Sequence, residues 1–91
     1  MTMIAIEKIN ETTFKVKVEG VKPTVHRVTI TPAYYEKITG GRVSHEELIE
    51  KSFEFLLERK PNTSITSSFA LRSINRDFSE YKSTIKEIFN L

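Results

Sequence analysis

Cysteine is absent from this 91-residue chain, which excludes disulfide staples and thiolate metal sites and leaves the redox compartment open. Aspartate occurs once, at Asp77, and histidine twice, at His26 and His45, so few combinations of acid, base and metal ligand can be assembled. No apolar run approaches the roughly 20 residues that a membrane-spanning helix requires. The opening segment MTMIAIEKIN has neither the charged n-region nor the apolar h-region of a secretion signal, and a cytoplasmic location is the expectation. Without such a signal the glycosylation triplets Asn10-Glu11-Thr12 and Asn62-Thr63-Ser64 carry little meaning. Repeats, low-complexity segments and linkers are also missing.

What is present suits one small domain over residues 1–91, with too little chain for a second core. Six Phe and three Tyr concentrate apolar area at few positions. Charged residues make up 29% with both signs interspersed, the balance of a globular chain rather than a disordered one. The net charge of +2 hides an uneven distribution. Residues 1–42 hold seven Lys/Arg against four acids, residues 43–60 three against five, and residues 61–91 four against three. A dedicated nucleic-acid binder usually carries a stronger basic bias.

Residues 3–9 and 14–19 read as strands joined by a polar turn. In the second, Phe14, Val16 and Val18 alternate with Lys15, Lys17 and Glu19, a period of two. A third strand is expected over 24–31, with His26, Val28 and Ile30 on one face and Val25, Arg27, Thr29 and Thr31 on the other. Short connections imply antiparallel neighbours. Thr31-Pro32 then supplies an N-cap and a first helical position, and Gly40-Gly41 a left-handed stop. A long helix over 44–60 opens on a capping box, with Ser44 accepting from the Glu47 N–H and Glu47 reaching back, and ends before Pro61. Its residues Leu48, Ile49, Ser52, Phe53, Phe55, Leu56 and Leu57 fill an arc of about 200°. A surface helix needs little more than about 100°, so this one must be covered from two directions. Phe69, Leu71 and Ile74 suggest a short helix over 69–77, and Ser79 with Glu80 a fresh N-cap. Tyr81, Ile85, Ile88 and Phe89 then form one face of a last helix, an internal candidate for the second cover. The expected fold is α+β: a three-stranded antiparallel N-terminal meander followed by three to four helices packed on one sheet face.

Little in the pattern supports catalysis. Ser44-His45-Glu46 places three triad residue types side by side, but adjacent helical residues point about 100° apart and cannot form a relay. His45-Glu46-Glu47-Leu48-Ile49 begins like a zinc-protease motif, with Ile49 where the second His must stand. His26 alternates with core-facing residues, which favours a packed and hydrogen-bonded imidazole. No catalytic residue, cofactor or metal is therefore expected. Two surface patches remain. Lys15, Lys17, Arg27 and Thr29 on the open sheet face, together with Arg42 after the glycine pair, are the candidate basic or nucleic-acid patch. Exposed lysines on strands also simply discourage edge pairing. Glu47, Glu50, Glu54 and Glu58 fall within about 80° of one another on the back of the long helix. This acidic face is the candidate docking surface for a basic protein partner, and it would repel DNA.

Two family resemblances can be read from the motifs. His26-Arg27-Val28-Thr29-Ile30-Thr31-Pro32, a short helix, a glycine turn and then Val43-Ser44-His45-Glu46-Glu47-Leu48-Ile49 resembles the ribbon-helix-helix repressors and antitoxins. That likeness implies Arg27, Thr29 and Thr31 as base readers and Ser44 as a phosphate contact. The first helix here is a turn or more short for that family, a hairpin precedes the strand, and the long helix is acidic. The segment Ser52-Phe53-Glu54-Phe55-Leu56-Leu57-Glu58-Arg59, followed by Pro61, Asn62, Ser64-Ile65, Phe69-x-Leu71-x-x-Ile74 and Phe78-x-Glu80-Tyr81, resembles a group of small uncharacterised prokaryotic proteins. In that group a proline stands where this chain has Ser79, and either residue can start a helix. The likeness implies a single-domain cytoplasmic protein and supplies no catalytic residues. The sequence therefore leads to a small non-enzymatic protein-interaction or regulatory module, with homodimerisation allowed by the wide apolar arc. The alternative, ranked behind it, is a ribbon-helix-helix-like DNA-binding repressor or antitoxin.

Overall fold

The alternation of Phe14, Val16 and Val18 with charged residues becomes an inner strand of a sheet, each of the three fully buried. In the computed structural model, which describes residues 3–20 and 22–90, β1 (Met3–Lys8), β2 (Thr13–Glu19) and β3 (Thr24–Thr29) form an antiparallel meander. Asn10 closes the first turn, its Oδ1 accepting from the N–H groups of Thr12 and Thr13 at 2.9 Å each. Helix α1 (Pro32–Thr39) starts as expected: Thr31 Oγ1 accepts from the Tyr34 N–H at 3.2 Å and Pro32 is the first helical residue. It stops at Gly40, whose φ of 63° is the left-handed value that glycine adopts without steric cost.

Helix α2 (His45–Leu57) is capped by Ser44 Oγ, which accepts from the Glu47 N–H at 3.1 Å. The return bond of the capping box is not formed among the described residues. The helix ends three residues earlier than Lys60: with no glycine to take a left-handed cap, the chain unwinds through tight turns in which Arg59 and Lys60 both donate to the Leu56 carbonyl at 2.9 Å. A single 3-10 turn (Asn62–Ser64) follows.

Among the described residues the sheet has four strands rather than three. β4 (Ser68–Ala70) lies parallel to β3, pairing Val28 with Phe69, and gives the order β1-β2-β3-β4. The expected antiparallel meander is thus extended by a parallel fourth strand, and the helix expected over 69–77 is confined to its second half. The element is only three residues long, too short to show a period of two. The spacing of Phe69, Leu71 and Ile74 is irregular because strand gives way to helix between them. Helix α3 spans Ser73–Asp77 and α4 spans Tyr81–Ile88. Ser79 does not cap α4; its N-cap is Glu80, with no side-chain bond.

The wide arc of α2 is covered inside the chain. Phe53, fully buried, meets the sheet layer, its ring 5.5 Å from that of His26 on β3 and 6.0 Å from that of Phe69 on β4. Phe55, two residues and about 200° further round, meets the opposite layer. Its ring packs edge-on against Tyr81 at 5.4 Å and Phe78 at 5.8 Å. Between them, Ser52 Oγ donates to the Leu48 carbonyl at 2.7 Å, which leaves it to accept from the Tyr81 hydroxyl at 2.6 Å. At the helix end the Arg59 guanidinium lies 3.6 Å above the Phe55 ring and reaches Glu80 at 3.9 Å, tying α2 to the start of α4. Over the described residues the protein is thus α+β, a four-stranded mixed sheet with four helices.

Candidate functional site

Strand alternation and helix phase decide which side chains reach each surface. On the sheet, Lys15, Lys17, Arg27 and Thr29 alternate with buried neighbours and face away from the helices. Lys15 stands directly across from Arg27, which stands across from Ser68. The four strands therefore bring two cations and a hydroxyl into one row. A shallow hollow of about 330 Å³, lined by Lys15, Arg27, Ser67 and Ser68 with Ile9 and Val25 beside them, marks this row. The charge there is diluted. Glu7 is the cross-strand neighbour of Lys15, and Lys17 pairs with Glu19 at 3.6 Å. Surface pairs of this kind are weak, but they lower the local positive potential.

Arg42 does not join that face. It sits in the turn between α1 and α2, on the helical side. The first three backbone donors of this turn are already engaged. Gly40 N–H donates to the Glu36 carbonyl at 2.8 Å, Gly41 N–H to Thr39 Oγ1 at 3.0 Å and Arg42 N–H to the Thr39 carbonyl at 3.1 Å. An anion would find no free N–H at Gly40, Gly41 or Arg42.

Both imidazoles are held by neighbours. His26 is buried, with Nδ1 2.9 Å from the Thr66 carbonyl and Nε2 2.8 Å from Thr24 Oγ1. A carbonyl can only accept, so Nδ1 carries a proton, and in the neutral ring Nε2 accepts from the Thr24 hydroxyl. Thr24 Oγ1 accepts in turn from Asn62 Nδ2 at 2.8 Å, and the same amide group donates to the Lys22 carbonyl at 2.8 Å. The chain of bonds fastens the β2–β3 turn to the crossover that leads into β4. His45 lies between two rings, stacked on Tyr35 at 3.9 Å and on Phe14 at 5.6 Å. Tyr35 donates its hydroxyl proton to the Val43 carbonyl, which holds the turn against α1. Sequence reasoning did not see this aromatic sandwich, since the three residues lie on different elements.

Glu47, Glu50 and Glu54 of α2 and its C-cap residue Glu58 are all exposed. Glu54 is approached by Lys51 at 3.4 Å and Glu58 by Arg59 at 3.6 Å, while Glu47 and Glu50 have no ion pair among the described residues. Beside the stripe, Ile4 of β1, Glu54 and Leu57 of α2 and the C-cap residue Glu58 line a groove of about 260 Å³. So the acidic face borders an edge strand of the sheet, an adjacency that no local sequence pattern signals.

Among the described residues no three His, Asp or Glu side chains gather where they could hold a metal ion. No helix of the described residues is long and apolar enough to cross a membrane. No family model matches the sequence, and neither a curated protein nor a solved structure matches it.

Proposed function

We propose that this chain is a small non-enzymatic protein-interaction module whose docking surface for a basic partner is the acidic face of α2. The reading agrees with the likeness to small prokaryotic proteins drawn from the FEFLLER and following motifs, which implies no activity of its own. The observation that carries it is the division of labour on α2. Its apolar arc is buried against sheet and α4, while Glu47, Glu50, Glu54 and Glu58 stay exposed on the remaining side. Like charges at i,i+4 cost a few tenths of a kcal/mol per pair in the free protein. A cationic partner removes that cost and gains directional steering as well.

Selection from a random displayed peptide library tests this. The wild type is expected to enrich Lys- and Arg-rich sequences, with retention falling as salt rises, and the Glu50→Lys, Glu54→Lys double variant to lose them at least about tenfold. Sequences without cationic bias, or retention equal in the variant, would sink the reading.

The bare sheet face with its Lys15–Arg27 row supports a second reading, the ribbon-helix-helix-like DNA binder. That family pairs one strand across its dimer, and here both edges of β3 are taken, by β2 and β4. The charge of the face is also offset by Glu7 and Glu19. On the leading reading duplex DNA is not retained even at low salt; a shift that Arg27→Ala weakens would favour the second.

A further inference from the structure

The outer edge of β1 is the longest unpaired strand edge in the sheet. Its only neighbour among the described residues is β2. Ile9 N–H donates to the Thr13 carbonyl at 2.9 Å. By antiparallel alternation, Glu7, Ala5 and Met3 then direct their backbone groups at β2, and Ile4, Ile6 and Lys8 direct theirs away from it. Three consecutive outward N–H and C=O pairs form a ready template for another strand. Neither proline nor a bulge blunts this edge. Two large apolar side chains at its ends are open to solvent, Met3 at 64% and Ile9 at 46% exposure.

We infer that β1 is a homodimer interface, pairing antiparallel with β1 of a second copy about a two-fold axis through Ile6. A two-fold axis perpendicular to the sheet keeps the helices of both copies on one side. Residues facing each other across it must then have even-summed positions. Two centres keep the pairing within β1, Ala5 and Ile6. Centring on Ala5 pairs Ile4 only with the second copy's Ile6 and leaves Lys8 beyond the strand. Centring on Ile6 pairs Ile4 with the second copy's Lys8, Ile6 with Ile6, and Lys8 with Ile4. Every outward backbone group of the three residues is then bonded.

Two side-chain matches independent of the backbone pattern select the same register. Met3 comes to lie across from the second copy's Ile9, so the two large exposed apolar groups of the segment cover each other. The second copy's Lys8 comes to lie across from Ile4, which shares its groove with Leu57, Glu54 and Glu58. A cation therefore enters a groove rimmed by two carboxylates, and by symmetry this happens twice. The assembly is one eight-stranded sheet, closed by its symmetry. It goes beyond the acidic-face reading: the strand edge carries it, and it shares with that surface only Glu54 and Glu58, which rim the groove.

Sedimentation equilibrium with residue-resolved amide exchange tests the interface. The wild type is expected at about 21 kDa, twice the 10.5 kDa chain, with the Ile4, Ile6 and Lys8 amides protected. Lys8→Pro removes an outward N–H and no bond to β2, so the variant should sediment at 10.5 kDa with unchanged circular dichroism. Lys8→Glu should raise the dimer dissociation constant about tenfold or more by placing like charges in both grooves. As a positive arm, Ile6→Cys puts the chain's one thiol on the axis, where the backbone separation of about 5.5 Å suits a disulfide, and should give a covalent dimer on mild oxidation. A wild type that stays at 10.5 kDa at millimolar concentration, with exposed Ile4, Ile6 and Lys8 amides, overturns the interface. So does a dimer that survives both Lys8 variants, which would mean another surface, or a monomer whose β1 edge only a foreign strand protects.

Discussion

Phe53→Ala is expected to lower the free energy of unfolding by about 3–5 kcal/mol, the usual cost of emptying a buried phenylalanine site. Phe53 is fully buried and stands between α2 and the sheet, with His26 and Phe69 as its aromatic neighbours. Neither neighbour can close the gap. His26 is fixed by bonds from both ring nitrogens, and Phe69 by the β3–β4 pairing. Phe55→Ala should cost about the same amount, because Tyr81, Phe78 and the Arg59 guanidinium cover that ring from within the chain. Both losses are large against the roughly 5–15 kcal/mol of stability that such domains possess. Glu50→Ala, on the exposed side of the same helix, should stay within about 0.5 kcal/mol of the wild type. Urea unfolding at two protein concentrations separates the cases: the Phe55 cost should be the same at both.

Ser52→Ala is expected to cost more than Tyr81→Phe, although both remove the same hydrogen bond. In the serine variant the buried Tyr81 hydroxyl keeps its proton and loses its acceptor, a penalty of about 1–3 kcal/mol. In the phenylalanine variant Ser52 still donates to Leu48, so the loss should be nearer 1 kcal/mol. The double variant should recover much of the serine penalty, which a double-mutant cycle reads directly. A pH dependence accompanies it. Burial pushes the Tyr81 hydroxyl above its ordinary value of 10.0, against the lowering effect of the Ser52 bond and with a smaller push from Tyr34. The folded protein therefore binds this proton more tightly than the unfolded chain does. Stability from this group is complete below about pH 10 and falls above it, by about 1.4 kcal/mol per pH unit. Tyr34, also raised by burial, acts in the same direction. Lys82 is held below its usual range by Lys37 facing it and acts oppositely. The wild-type minus Tyr81→Phe difference isolates the tyrosine: it should shrink above pH 10 and be flat below.

The elements that could be read from the sequence are those whose signals are local. Thr31-Pro32, Gly40 and Ser44 mark helix ends because their side chains or dihedral freedom act on the adjacent backbone. The β2 alternation is legible because both of its neighbours leave one face to solvent. The two-sided cover of α2 could be inferred from the angular width of Leu48 to Leu57 alone. What could not be read depends on distant partners. Phe69 joins the sheet only because β3 offers a free edge, and three residues leave no periodic trace. His45 is sandwiched by residues from β2 and α1, and Ile4 meets Glu54 only after β1 is placed beside α2. The acidic stripe was legible as a stripe; the strand edge bordering it was not.

Amide exchange of the 91-residue chain across a dilution series, from millimolar to low micromolar, tests most directly where α2 and β1 find their cover. Amides of Phe53, Phe55 and Leu56 should keep constant protection at every concentration, because sheet and α4 of the same chain bury that arc. Those of Ile4, Ile6 and Lys8 should lose protection together as the protein is diluted. Loss of α2 protection on dilution would contradict this picture and assign the wide arc to a partner chain.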